Sequence, residues 1–385
     1  MQNNGVTGSA SVRPRVVLHY WGRRGGGSLA TLLLAQHLST GEQPCDVVFS
    51  LFRGNHDLEA FKATGLPIVF IDRPHLSDLV QKAWSLPRML REHADRLAAL
   101  KPKAVIMTMN SPFAWPFMGM LQRRGLKVAY TAHDAAPHPG DYAATWQRIT
   151  QDLLIKGADR VVALSRSVAK RVAERIPSAA GKISVVPLEV IYPTKRMSLP
   201  DRNADEPIKL LFFGRLIFYK GLDRLAEVLT PLKTRPDWRL TIAGAGPLEG
   251  KVRELFAGWP QVNLEFGWIS DQRSDELYAE HDLLLCPYTE ASQSGVISEA
   301  LSWALPSIVM PMGALPEQIG FGTAGLVAED ASADAFRRSL ELVLDQPDRL
   351  KDMSRRTAEL LLERQRERGW FELASGPAFS TSRLP

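Results

Sequence analysis

The chain of 385 residues has only two cysteines, which excludes a disulfide-framed fold. Cys45 and Cys286 sit in apolar, strand-like surroundings and read as buried thiols of a reducing compartment. No apolar run long enough to span a bilayer is free of breakers. The nearest, 104–121, contains Asn110, Ser111, Pro112 and Pro116. The N-terminus lacks a charged stretch followed by an apolar one, so no cleaved signal peptide is expected. The sequence has no D-x-D, no G-x-S-x-G and no P-loop lysine motif, and its eight histidines show no zinc-ligand spacing. Residues 22–27 read G-R-R-G-G-G rather than G-x-G-x-x-G. No acid closes the second strand, since Asp57 and Glu59 follow a turn, so a dinucleotide oxidoreductase is disfavoured. There is no internal repeat and no low-complexity tract. What is present is 45% hydrophobic and 23% charged residues, enough for two sizeable cores in a cytoplasmic protein.

The net charge of +5 is unevenly spread. Residues 1–200 hold 26 Lys and Arg against 14 Asp and Glu, giving +12, and the remainder carries −7. A basic half favours an anionic partner: nucleic acid, acidic lipid head groups or a phosphorylated substrate. Ordinary solubilising surface charge is the plainer alternative.

Strand-like runs alternate with helical patterns. In the first half the strands fall at 15–20, 46–51, 66–71, 103–108, 126–131, 160–164 and 182–186. The clearest helices are 28–38, 76–100 and 165–176. Residues 187–207 hold four prolines and little periodicity, which predicts an interdomain linker. The alternation restarts with strands at 208–213, 239–243, 263–266, 282–286, 307–310 and 325–328. Helices follow at 221–229, 248–257, 271–279, 295–303, 331–344 and 349–368. Strand–helix alternation predicts two doubly wound parallel sheets, whose ligands sit at the carboxyl ends of the strands. The expected division is a first domain over 1–190, a linker over 191–206, a second domain over 207–362 and a tail over 363–385. In the tail, Trp370 and Phe371 would anchor the last helix back on the first domain.

Two segments carry the strongest chemistry. In FGRLIFYKGL (213–222), Gly214 permits a tight turn after a strand. Arg215 and Lys220 then place two cations beside a helix N-terminus, which suits a diphosphate. In PYTEASQSGVISEALSWALP (287–306), a small-polar loop opens onto a helix at about Gly295. There Ser292, Ser294, Gly295 and Val296 would present amides and hydroxyls to an anion. Glu299, one turn into the helix, could accept both hydroxyls of a ribose, and Glu290 at the loop entrance could hold sugar hydroxyls. Taken alone, the first is also an ordinary strand–helix loop and the second an N-capping serine near a helical acid.

Together, GRL-x3-KG at Gly214–Gly221, G-x-G-P at Gly244–Pro247 and E-A-L-x4-P at Glu299–Pro306 resemble the donor half of retaining glycosyltransferases of family 4. The resemblance is close over 210–326 and looser in the first half. It implies the GT-B fold, an α/β architecture of two facing Rossmann-like domains with a cleft between them. It implies that Arg215 and Lys220 hold the donor diphosphate, that Glu299 holds the ribose and that Ser294, Gly295 and Val296 meet the phosphates or the sugar. Trp268 and Ile269 fall where such enzymes rest the base. The family commonly has two glutamates eight apart with Phe-Gly between them. Here eight back from Glu299 is Ala291, and the Phe-Gly positions hold Gln293 and Ser294. Either the loop shifts so that Glu290 reaches the sugar, or Gln293 and the serines take that role.

In YTAHDAAP (130–137), a histidine such as His133 faces the transferred sugar in similar enzymes. Asp134 could hold its tautomer. Gly26 and Gly27 leave room for backbone approach to donor phosphates or acceptor. Without D-x-D, no metal or other cofactor is expected, and cations and helix dipoles would stabilise the leaving diphosphate. The expected reaction is front-face attack by an acceptor hydroxyl, with the departing diphosphate taking its proton and no protein nucleophile assigned.

The donor is expected to be a UDP- or GDP-sugar. The acceptor would be a glycan or a lipid-linked sugar of polysaccharide or lipopolysaccharide assembly. Leu79, Val80, Trp84, Leu86, Met89 and Leu90, mixed with Lys82, Arg88, Arg91 and Arg96, suggest peripheral contact with an anionic inner membrane. Arg123, Arg124 and Lys127 add a second basic cluster, while Pro87 reads as a helix break. No nucleic-acid motif backs a nucleic-acid partner. The alternatives are a nucleotide-sugar 2-epimerase of the same fold, a far longer glycan phosphorylase, or a non-catalytic nucleotide-sugar or nucleic-acid binding module.

Overall fold

A computed structural model describes residues 13–23, 25–41, 43–72, 85–111, 113–135, 144–201, 203 and 206–379. Most of its strands are short apolar runs, and most interior ones bury both faces, as a parallel sheet covered by helices requires. Seven form the first sheet: β1 (Arg15–Tyr20), β2 (Asp46–Phe52), β3 (Ile68–Ile71), β4 (Ala104–Met107), β5 (Val128–Ala132), β6 (Arg160–Ala163) and β7 (Ile183–Val185). Six form the second: β8 (Ile208–Phe213), β9 (Trp238–Gly244), β10 (Val262–Phe266), β11 (Leu283–Cys286), β12 (Ser307–Val309) and β13 (Gly325–Val327).

The orders are β3-β2-β1-β4-β5-β6-β7 and β10-β9-β8-β11-β12-β13. The registers are parallel: Val17 pairs with Val48 and Val105, and Leu211 with Thr241 and Leu284. In each sheet the first strand is interior and the winding reverses beside it, at β1/β4 and at β8/β11. Loops leaving the carboxyl ends there diverge and open a crevice, the usual ligand position of such sheets. In the second sheet those loops are 214–221 and 287–294. Both domains are thus Rossmann-like parallel sheets, as the alternation predicts.

By contact, the chain divides into two compact units. One takes the described residues of Met1–Thr131, His138–Val161 and Gly369–Pro385; the other takes Ala132–Pro137 and Val162–Arg368. Residues 162–190, read from the sequence as first domain, therefore group with the second unit. The final helix, Gly369–Ser375, groups with the first. There Trp370 is buried and the Phe371 ring lies 5.0 Å from that of His37.

Pro87 stands in the first turn of a helix, Leu86–Ala99, and the part of the expected helix 76–100 that precedes residue 85 lies outside the described residues. A proline there forfeits no helical hydrogen bond, because first-turn amides have no helical acceptor. The proline-rich linker carries local structure. Leu188–Ile191 forms a buried 3-10 turn, and the amides of Lys195 and Arg196 donate to the Ser302 carbonyl. Both cysteines are buried, and burial pushes Cys45 up to about 11 and Cys286 up to about 12. Among the described residues no helix is long and apolar enough to cross a membrane. Leu79, Val80, Lys82 and Trp84 of the proposed interfacial stretch lie outside the described residues. Of its basic residues, Arg88 pairs with Glu92, and in the second cluster Arg124 pairs with Asp95.

Candidate active site

The loop after β8 is built by close backbone approach. Gly214 and Gly244 have φ of 122° and 142°, and a side chain at Gly244 would overlap the Gly214 carbonyl. Only glycine tolerates both the angle and the contact. Arg215 follows, exposed, and its Nη2 donates to the Tyr219 hydroxyl at 2.7 Å. Phe218–Lys220 then forms a 3-10 turn, and Gly221, in the left-handed region at φ 73°, lies against the Pro287 carbonyl. The Thr289 amide donates to the Tyr219 carbonyl at 2.9 Å, tying this loop to the one after β11.

That turn buries Lys220, which is 7% exposed. Its Nζ lies 3.8 Å from the Tyr288 ring centroid and 5.6 Å from that of Tyr219. Among the described residues it has no carboxylate partner. Burial pushes its pKa down to about 7; the neighbouring Cys286 opposes this and the Arg215 charge adds to it. The electron-rich ring face offsets part of the cost of burying the ammonium.

In the loop after β11, Glu290 is half-buried and the Ala291 carbonyl abuts Gly313. Buried Ser292 accepts from Arg171 Nη2 at 3.0 Å. Gln293 Nε2 lies 3.4 Å from His133 Nδ1, while Gln293 Oε1 is buried with no partner among the described residues. His133 and Asp134, both half-buried at the end of β5, belong to the second unit.

The Ser294 amide is not available to an anion: it donates to Gln318 Oε1 at 2.7 Å. Gln318 Nε2 in turn donates to the Ser294 carbonyl at 3.1 Å and to Glu189 Oε1 at 2.7 Å. Glu189 is fully buried, and burial raises its pKa. The helix Gly295–Ser302 therefore offers the first-turn amides of Gly295 and Val296, which no helical carbonyl precedes. Gly295 is exposed and Val296 half-buried.

Glu299 is half-buried, and its Oε1 accepts from Lys195 Nζ at 2.6 Å. After β10, Gly267 at φ 110° donates its amide to the Gly244 carbonyl at 3.0 Å. The next residues are Trp268, 69% exposed, and half-buried Ile269.

Arg215, Lys220, Gly244, Trp268, Ile269, Glu290, Gln293, Ser294, Gly295, Val296 and Glu299 thus gather at the carboxyl ends of four adjacent strands, β10-β9-β8-β11. His133 lies beside Gln293, and Asp134 follows it in the same unit. Gly26 and Gly27 begin a helix of the first unit. Gly26 is exposed, and Gly27 is packed where a side chain would come 2.8 Å from Tyr20 and Met109 atoms. Sequence reasoning missed Lys195, Glu189, Gln318, Arg171 and Tyr288. The apolar LEVIY of 188–192 between prolines was a signal that the linker packs. Nothing in the pattern singled out Lys195.

Comparison with known proteins agrees with this geometry. The family described as Glycosyltransferase Family 4 matches residues 24–190, and Glycosyl transferases group 1 matches 207–346. A GDP-mannose-dependent alpha-(1-6)-phosphatidylinositol dimannoside mannosyltransferase of Mycobacterium tuberculosis is 29% identical over 181 residues, 46% of each chain. The match thus spans under half of that relative's length. The structure of Anabaena Alr3699/HepE with UDP and glucose superposes with a TM-score of 0.71 at 14% identity, over 97% of this chain and all of that one. A UDP-GlcNAc 2-epimerase from Neisseria meningitidis bound to UDP-GlcNAc fits less well, with a TM-score of 0.56 at 11% identity over 91% of this chain and 99% of that one. Two doubly wound sheets, the loops at their strand ends and a family match to each half place this chain in the family 4 type of GT-B glycosyltransferases.

Proposed function

We propose that the protein is a retaining, metal-independent glycosyltransferase that moves a sugar from a UDP- or GDP-sugar to a hydroxyl of a glycan or lipid-linked acceptor. The observation that carries this reading is the buried ammonium of Lys220 beside exposed Arg215, at the crevice of the second sheet. Burial of a cation without a carboxylate is costly, and a diphosphate would supply the missing charge. Arg215 and Lys220 hold that diphosphate, and the amides of Gly295 and Val296 add the positive end of a helix dipole. As the glycosidic bond to the phosphate breaks, negative charge grows on the leaving oxygen, and these fixed groups stabilise it.

Glu299 accepts the ribose hydroxyls through Oε2, since Oε1 is taken by Lys195. Trp268 and Ile269 pack on the base. Gln293 and Glu290 hold the sugar hydroxyls, and His133 bonds and orients the sugar. The acceptor hydroxyl attacks the face from which the diphosphate departs and passes its proton to a phosphate oxygen, so configuration is kept. The basic first half fits an anionic or membrane-borne acceptor, with the protein on the cytoplasmic face and in peripheral contact with the inner membrane. Flotation with anionic liposomes tests that contact, which fails if binding does not depend on anionic lipid.

The test of the activity is a thermal-shift panel of UDP, GDP and their sugar conjugates, with and without EDTA, because a ligand of the native state raises Tm by mass action. One family of conjugates is expected to stabilise the protein, in EDTA as well. NMR of the transferred sugar should show the donor's anomeric configuration. Inverted product, or epimerised free nucleotide sugar without transfer, contradicts the reading.

A further inference from the structure

Segment 192–196 joins two helices of the donor unit at their C-terminal ends. The Lys195 and Arg196 amides donate to the Ser302 carbonyl at 2.8 and 3.0 Å, closing the helix that carries Glu299. Arg196 Nε donates to the Trp303 carbonyl at 2.7 Å, and its Nη1 donates to the Ala279 carbonyl at 2.9 Å, at the end of the helix Asp271–Glu280. Cations at helix C-termini are favoured by the dipole. On this fixed backbone the Lys195 ammonium reaches one carboxylate from each helix: Asp275 Oδ1 at 2.7 Å and Glu299 Oε1 at 2.6 Å. Its Nζ also lies 5.4 Å from the Trp303 ring centroid. The two carboxylates raise the Lys195 pKa against the effect of burial, so the ammonium is charged at neutral pH.

The arrangement divides the work of Glu299. Oε1 is committed to Lys195, and Oε2 accepts no hydrogen bond from the described residues. A carboxylate on a flexible arm would sample several rotamers and repel an approaching diphosphate. One held by an ammonium keeps a single orientation and carries less net charge. We propose that Lys195 is a positioning residue: it fixes and partly neutralises Glu299, so that Oε2 recognises the hydroxyls of the donor's ribose. The inference rests on the reading that Glu299 meets that ribose, and it makes sugar recognition by the nucleotide site depend on a linker residue 104 positions away.

The readout is the preference for ribose, which general loosening of the protein would not move selectively. Dissociation constants of UDP and GDP, and of their 2′,3′-dideoxy forms, are measured by calorimetry on the full chain. Variants are Lys195→Met, Lys195→Gln, Lys195→Arg and Glu299→Gln. The unaltered protein is expected to prefer the ribose form by about tenfold or more, the worth of a hydrogen bond to a charged acceptor. In Lys195→Met and Lys195→Gln the preference should fall to within about threefold of unity, through weaker ribose binding with dideoxy binding little changed. Lys195→Arg should restore most of it. If Lys195→Met does not fold, Lys195→Gln carries the comparison. An unchanged preference in both neutral variants overturns the role of Lys195. A preference that survives Glu299→Gln overturns the ribose reading instead, and no binding of either nucleotide removes both.

Discussion

Each sheet buries a titratable side chain near its interior first strand, and the two are treated in opposite ways. On β1, His19 is fully buried; its Nδ1 lies 3.1 Å from Ser50 Oγ, which lies 2.8 Å from His93 Nε2. Trp21 and Phe117 wall the cluster, with ring centroids 4.3 and 5.1 Å from that of His19. Burial holds both histidines neutral, far below their usual range, with His93 down to about 3. After β8, burial also lowers Lys220, but only to about 7. The first cluster is stable uncharged and turned in on its own partners. The second group stands at the edge of ionisation, with a ring face beside it and no carboxylate partner among the described residues. Desolvation alone therefore does not mark a functional site; what distinguishes Lys220 is that desolvation leaves it able to charge at a strand end.

That contrast breaks most visibly at Lys220. Lys220→Ala should weaken nucleoside-diphosphate binding or turnover by about 100-fold or more, the usual cost of losing a charge-stabilising group in a closed site. His19→Phe, by contrast, should leave nucleotide affinity within about threefold, read by the same titration.

Acid should separate the two regions next. His93 is neutral when folded and has a depressed pKa, so its contribution is complete above about 6.5. It is lost as pH falls toward about 3, at about 1.4 kcal/mol per unit. Urea melts between pH 7 and 4 should show this loss, and Ser50→Ala should change its slope. Lys220 has the opposite consequence for binding. An anion favours the ammonium, so affinity should fall by up to about tenfold per unit as pH rises above about 7.

Smaller effects sharpen the picture of the loops. Gly244→Ala forces a side chain onto the Gly214 carbonyl at φ 142°, and should cost about 2–3 kcal/mol together with donor affinity. Ser332 caps the helix Ala333–Asp345 by accepting from the Ala335 amide at 3.1 Å. Ser332→Ala should cost about 1 kcal/mol in chemical denaturation and leave nucleotide binding unchanged.

The fold was legible because strands buried on both faces are written as continuous apolar runs. RVVLHY and IKLLFF mark β1 and β8 to the residue. Short elements such as Leu58–Ala63 and Leu315–Gln318 are too brief to show a period. At the candidate site, Arg215, Lys220 and Glu299 stood out in the sequence because their types and spacing suit the diphosphate and ribose proposed for them. The burial of Lys220 was not, since the 3-10 turn that buries it depends on Tyr288 from another strand's loop. The Gln318–Ser294 and Lys195–Glu299 pairs were hidden for the same reason. They join residues 24 and 104 positions apart, and only the winding of the sheet brings them together.

Lys220 is proposed to be a buried amine near ionisation that a donor's diphosphate charges and pairs with. The direct test is calorimetry of UDP and GDP at pH 8 in EDTA, in buffers of differing ionisation enthalpy, with and without Lys220→Met. Binding is expected with uptake of close to one proton, with loss of both in the variant. Binding without proton uptake that survives Lys220→Met, or no binding of either nucleotide, would contradict it.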